Sequence, residues 1–120
     1  MRMNDMYAAG TYDQSATADN ATATVTLAAT AGKAHLIHGI VATYGAAPSA
    51  AAKIVTLTWY EGGTAKTMVA NFLMAANLTV TLALPYAVRG DAGKAVTCTL
   101  TASGTGGVLG RVGLLYSPVG

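Results

Sequence analysis

The chain has 120 residues, 52% of them hydrophobic and only 10% charged, where an ordinary soluble domain carries about 25% charged residues. That length suits one compact domain and is too short for two. Seven basic and five acidic side chains, scattered along the chain with a formal net charge of +2, make no basic run for neutralising phosphates, so no nucleic acid is expected as partner.

A single cysteine, Cys98, excludes an intrachain disulfide and a thiolate-rich metal site. The start Met1-Arg2-Met3-Asn4-Asp5-Met6-Tyr7 has no apolar core of the kind a signal peptide needs, and export by that route is not expected. Residues Thr67 to Val88 carry no charge, which raises the question of a membrane span. Asn71, Asn77, Thr79, Thr81 and Pro85 interrupt the stretch, and Leu78, Val80, Leu82 and Leu84 alternate with Thr79, Thr81 and Ala83. That two-residue rhythm belongs to a half-buried strand, and no membrane partner is expected.

Residues 1–21 are rich in Asp, Asn, Gln and small side chains, with few large apolar groups beyond Met3, Met6, Tyr7 and Tyr12. A segment so composed buries too little apolar area to offset about 1–2 kcal/mol of backbone entropy per residue, so it is expected to be a flexible N-terminal arm. The remainder, 22–120, is expected to be the folded domain. Thr22 to Ala29 sets Val25 and Leu27 against Thr24 and Thr26, and Thr30-Ala31-Gly32-Lys33 turns the chain. His35 to Tyr44 places Leu36, Ile40 and Tyr44 on one face and Ile37 and Val41 on the other, so that strand is expected to be central. Gly45 to Ala52 is a loop.

Ile54 to Tyr60 alternates Val55, Leu57 and Trp59 with threonines, and Glu61-Gly62-Gly63-Thr64 is a hairpin turn leading to a return strand, Ala65 to Phe72. The next strand, Leu78 to Leu84, is expected to stop at Pro85, and Arg89-Gly90-Asp91-Ala92-Gly93 to reverse the chain. Ala95 to Thr101 points Val96, Cys98 and Leu100 inward. Ser103-Gly104-Thr105-Gly106-Gly107 turns into the last strand, Val108 to Tyr116. These elements define an all-β fold, an antiparallel, jelly-roll-like β-sandwich of about seven or eight strands.

Candidate chemistry is sparse. His35 and His38 stand three apart on a strand, which points their rings to opposite faces and opposes a shared metal ion. Arg89-Gly90-Asp91 spells the tripeptide that integrins recognise, yet all three are ordinary turn residues. The serines lie in no Gly-x-Ser-x-Gly elbow, Glu61 and Asp91 are the only carboxylates of the strand region, and the Gly104 to Gly107 run opens no helix. Trp59 shares a face with Val55 and Leu57 and reads as a core residue. No enzyme, cofactor, metal or catalytic residue is expected.

Ala31-Gly32-Lys33, His35, Ile37, Gly39-Ile40, Tyr44, Ala46-Ala47-Pro48-Ser49, Gly62-Gly63-Thr64, Pro85, Arg89-Gly90, Gly93, Ala95, Thr97, Thr99-Leu100, Gly104, Gly106-Gly107, Gly110 and Leu114-Leu115-Tyr116 together form a pattern of turns and strand ends. This pattern resembles that of small β-sandwich proteins encoded in tailed-bacteriophage structural gene clusters, and the segment Thr67 to Leu84 departs from it. The resemblance implies a virion structural role: a capsid decoration (cement) protein made in the bacterial cytoplasm. It would bind the outside of the head as a homotrimer, with the major capsid protein as partner. Others of similar look are tail or head-fibre components, so recognition of a host glycan or receptor is the alternative. On the cement reading the arm reaches onto the shell, with Met6, Tyr7 and Tyr12 as the capsid-contact residues.

Overall fold

In the computed structural model, the structure describes residues 11–49, 52–72 and 79–119. Among them are nine strands and no helix: β1 (Thr11–Gln14), β2 (Ala18–Asp19), β3 (Ala23–Leu27), β4 (Ala34–Tyr44), β5 (Lys53–Glu61), β6 (Thr64–Phe72), β7 (Thr79–Arg89), β8 (Val96–Leu100) and β9 (Leu109–Val119). One sheet runs β1-β9-β4-β7, with β2 also on β9, and the other runs β3-β8-β5-β6. Every pairing is antiparallel.

The order follows a simple rule if β1 and β2 are taken as one interrupted strand. First pairs with last, β3 with β8, β4 with β7 and β5 with β6. A long antiparallel ribbon is thus folded over on itself, and the added pairings β4–β9 and β5–β8 close it into two sheets. That is the jelly roll, an all-β solution with two packed sheets.

Side-chain alternation builds the core between the sheets. Val25 and Leu27, Val55, Leu57 and Trp59, and Val96, Cys98 and Leu100 are buried while the intervening threonines face outward. The opposite sheet contributes Ile37, Ile40, Ala42, Tyr44, Val112 and Leu114. The Tyr44 hydroxyl, deep in this layer, donates to the Thr101 carbonyl at 2.6 Å.

Three features differ from the sequence expectation, each for a local reason. The second half of the expected arm is strand: the Ser15 N–H donates to the Val112 carbonyl at 2.8 Å while its hydroxyl accepts from the Val112 N–H at 3.1 Å. Asp19 and Asn20 accept from the N–H groups of Gly107 and Gly104 at 2.8 and 2.9 Å, clasping the last turn. The polar side chains that read as an arm therefore satisfy backbone donors of the sandwich.

Second, β4 is bulged between Ile37 and Gly39. The extra residue, His38, shifts the phase, so Ile37 joins Ile40 in the core, whereas even spacing sets them on opposite faces. Third, β7 does not stop at Pro85. It is an edge strand, and Pro85 lies where its pairing with β4 is interrupted, so the missing N–H of proline costs no ladder bond. The four residues Leu84 to Ala87 sit opposite the single residue His38, a wide irregularity that carries β7 on to Arg89.

Candidate docking surfaces

Few groups here gather for chemistry. The His35 ring lies inside, its Nε2–H donating to the Ala28 carbonyl at 3.0 Å and its edge against Tyr116, while His38 lies outside beside the Ser117 hydroxyl at 2.9 Å. Among the described residues no three His, Cys, Asp or Glu side chains are placed to hold a metal ion. Burial pushes the Cys98 thiol up to about 12, which removes the nucleophilic thiolate at ordinary pH. Trp59 is buried and its Nε1–H donates to Glu61 Oε1 at 2.7 Å.

The Arg89-Gly90-Asp91 turn is built inward. The Gly90 N–H donates to the His35 carbonyl at 3.0 Å, and the Asp91 N–H to the Tyr60 carbonyl at 2.7 Å. The Asp91 carboxylate accepts from Gly62 at 3.0 Å and Gly63 at 2.8 Å, one oxygen each. Those two glycines hold φ of 59° and 80°, the paired positive values of a two-residue hairpin turn. Asp91 is therefore a clip between the β5–β6 turn and the β7–β8 connection. Its carboxylate is already occupied, unlike one presented to a receptor.

What remains is surface, and it is of four kinds. On the outer face of β3-β8-β5-β6 the register aligns Thr24, Thr99, Thr56 and Val69 in one row and Thr26, Thr97, Thr58 and Thr67 in the next. No charged residue stands in either row. The outer face of β1-β9-β4-β7 has rows Tyr12, Leu115, Gly39, Ala83 and Gln14, Gly113, Val41, Thr81. Here Leu115 rests on Gly39 and the Tyr12 hydroxyl end rests on Gly113, where a Cβ would collide with it. Glycine at these two positions lets a leucine and a tyrosine lie flat, yet Tyr12 is still 45% and Leu115 38% exposed.

The third surface is the end formed by the β3–β4, β5–β6 and β7–β8 connections. Lys33, Glu61, Lys66, Arg89, Asp91 and Lys94 all lie there, with the Lys94 ammonium 5.4 Å from the Tyr60 ring centre. The fourth is the seam between the edge strands β6 and β7, where an apolar cavity of about 250 Å3 is lined by residues such as Ile40, Val55, Met68 and Leu82. Beside it Tyr86 is 86% exposed.

Of the capsid-contact residues expected from the sequence, Met6 and Tyr7 lie outside the described residues. Tyr12 is on β1, exposed and paired across the ladder with Leu115. Sequence reasoning missed Leu115 and Tyr86. Strand alternation within Leu114-Leu115-Tyr116 signals the first, since one of two adjacent leucines must face out. A large aromatic directly after an edge-strand proline signals the second.

Fold and surfaces together define a jelly-roll β-sandwich with weakly charged faces. No family model and no curated protein matches the chain. Among solved structures it is similar to a chain of the virus-like particle of the giant freshwater prawn Macrobrachium rosenbergii extra small virus, at 17% identity and a TM-score of 0.36, over 91% of this chain and 76% of that one.

Proposed function

We propose that the protein is a non-enzymatic capsid decoration (cement) protein that binds the outer surface of a phage head as a homotrimer and stabilises it. The observation that carries this reading is the outer face of β1-β9-β4-β7, a flat, nearly uncharged surface where Tyr12 and Leu115 stand exposed over Gly39 and Gly113. Large apolar side chains held by a rigid sheet lose little entropy on docking, and aromatic anchors of this kind dominate protein interfaces. Arg111, opposite Thr43, is the only charged residue on the paired strands of β9 and β4 within that face. The partner is the major capsid protein. Three linked copies, each binding weakly, hold tightly because the later contacts form at high effective concentration.

The test uses heads purified without the protein. Adding the purified chain should populate repeated lattice positions in electron micrographs and raise the temperature at which the heads rupture. The double variant Tyr12→Ser, Leu115→Ser should fold normally and leave those positions empty. Binding only at the tail or fibre, or undiminished occupancy by the double variant, would overturn the proposal, and the first of these would favour receptor or glycan recognition.

A further inference from the structure

We infer that copies of this chain associate through the β6–β7 edge, the Tyr86 side chain of one copy seated in the apolar cavity of the next. The inference supplies the contact between copies that the homotrimer in the capsid reading rests on, and it holds whether or not a shell is bound.

Two features of one edge fit each other. The hole is the cavity of about 250 Å3 that opens where the two sheets end in β6 and β7, walled by Met68, Val69 and Ala70 on one side and Leu82, Ala83 and Leu84 on the other. The knob is Tyr86, lifted by the Leu84 to Ala87 irregularity and 86% exposed. A tyrosine so exposed in a single molecule brings a large apolar ring whose burial is favourable and whose hydroxyl still reaches the rim. The same irregularity interrupts the free edge of β7, which discourages open-ended strand pairing and leaves side-chain insertion as the mode of contact.

The size of the edge suits a small specific contact. With Leu84 to Ala87 bulged out, β7 spans the length of the eight residues Leu36 to Thr43 that it lies beside, about 26 Å at strand rise. Multiplied by the shortest dimension of the molecule, 23 Å, that gives ~600 Å2 per copy, or about 1,200 Å2 for the pair, the lower end of the range for specific interfaces. Charge also permits it. Met68 to Asn71 and Thr79 to Val88 include no ionisable group apart from the Tyr86 phenol, so two copies of this edge meet without like-charge repulsion. Because knob and hole belong to one chain, the same contact repeats from copy to copy, and it makes a ring when the rotation between copies closes.

The experiment is the solution mass of the full chain, by sedimentation or light scattering across a dilution series, for the parent and three variants. The parent should exceed the 12.0 kDa of one chain. Tyr86→Ser removes the knob and Met68→Asp, on the inward-facing phase of β6, puts a charge on the cavity wall. Tyr86 is exposed, so at dilutions where the parent has dissociated Tyr86→Ser should unfold at the parental urea midpoint, and circular dichroism should show Met68→Asp, at a half-buried site, still folded. Each should associate at least about thirtyfold more weakly, the threshold for a tyrosine at the centre of an interface. Mixed one to one, they should form pairs, the hole of Tyr86→Ser taking the knob of the other variant. Deletion of residues 2–10 should change nothing. A monomeric parent, full association by Tyr86→Ser, or a failure of the mixture to recover would overturn the inference. So would loss of association on deleting residues 2–10, which would make that segment the occupant. Head binding by a monomeric parent would sink this contact and the linked trimer, and leave the binding to the head standing.

Discussion

Replacing Asp91 by alanine tests whether the Arg-Gly-Asp turn is a clip or a ligand. The substitution removes two charge-assisted acceptors, at 3.0 Å from Gly62 N and 2.8 Å from Gly63 N, and leaves the Asp91 N–H on the Tyr60 carbonyl untouched. Hydrogen bonds to a charged group contribute about 1.5–3 kcal/mol each, but both glycine donors are exposed and water takes over part of the role, so ~2 kcal/mol for the pair is the expected loss. For a chain of this size that lowers the melting temperature by ~8 °C and the urea midpoint by about 1 M. Asp91→Asn keeps one acceptor oxygen and should lose about half as much. Trp59 is the only tryptophan and is buried, so its fluorescence reports the transition directly. A melting curve for Asp91→Ala within about 0.5 kcal/mol of the parent, the scatter of ordinary surface changes, would refute the clip. Loss of animal-cell attachment in that same stable variant would then point to the receptor reading.

Three further outcomes follow from the packing. Cys98, buried and with its thiol pushed up to about 12, should resist a thiol reagent at pH 8 in the native protein and react at once in denaturant; rapid native labelling would show that β8 opens. Burial raises the Tyr44 phenol above its ordinary 10.0, so the folded state holds its proton after the unfolded state has lost it. Its contribution is complete below pH 10 and disappears as pH rises through the raised native value, and Tyr44→Phe should flatten that alkaline loss of stability while costing ~1 kcal/mol at neutral pH. Gly113→Ala should push the Tyr12 ring off its floor without unfolding the sheet, because the colliding atoms are the far end of a side chain; head occupancy measured on the variant should fall with little change in melting temperature.

Period-two alternation made the sandwich legible wherever one face packs and the other is wet, as in Val55, Leu57 and Trp59 against Thr56 and Thr58. It fails where one residue is inserted. A bulge at His38 is invisible to a periodicity count, because the apolar Leu36 and Val41 on the outer face leave β4 without a polar phase to read. The strands β1 and β2 were hidden for another reason: Ser15, Asp19 and Asn20 act on the backbones of Val112, Gly107 and Gly104, contacts nearly the whole chain length away. Pro85 reads as a strand end, but β7 is an edge strand whose pairing is interrupted there, and such a strand accommodates a proline. Of the docking face, Tyr12 was visible as an isolated aromatic, but its floor, Gly113, appears only once β1 lies beside β9.

The spacing of charges along a sequence is a poor guide to their spacing on a surface. Lys33, Lys66 and the pair Arg89 and Lys94 come from three separate stretches of the chain, yet the jelly roll brings their connections to one end, where the Gly93 N–H meets the Lys33 carbonyl and the Asp91 N–H meets that of Tyr60. The two carboxylates of that end accept from backbone N–H groups and the Trp59 indole, and among the described residues no ion pair neutralises the four cations. Hydration is therefore concentrated at that end, while the threonine rows, the Tyr12–Leu115 face and the β6–β7 edge carry little of it. A partner approaching the end must displace strongly bound water from cations, whereas one approaching a face or the seam displaces it from hydroxyls and hydrocarbon. Neighbours on the faces and along the edge, with the basic end left in water, form the arrangement of lowest desolvation cost.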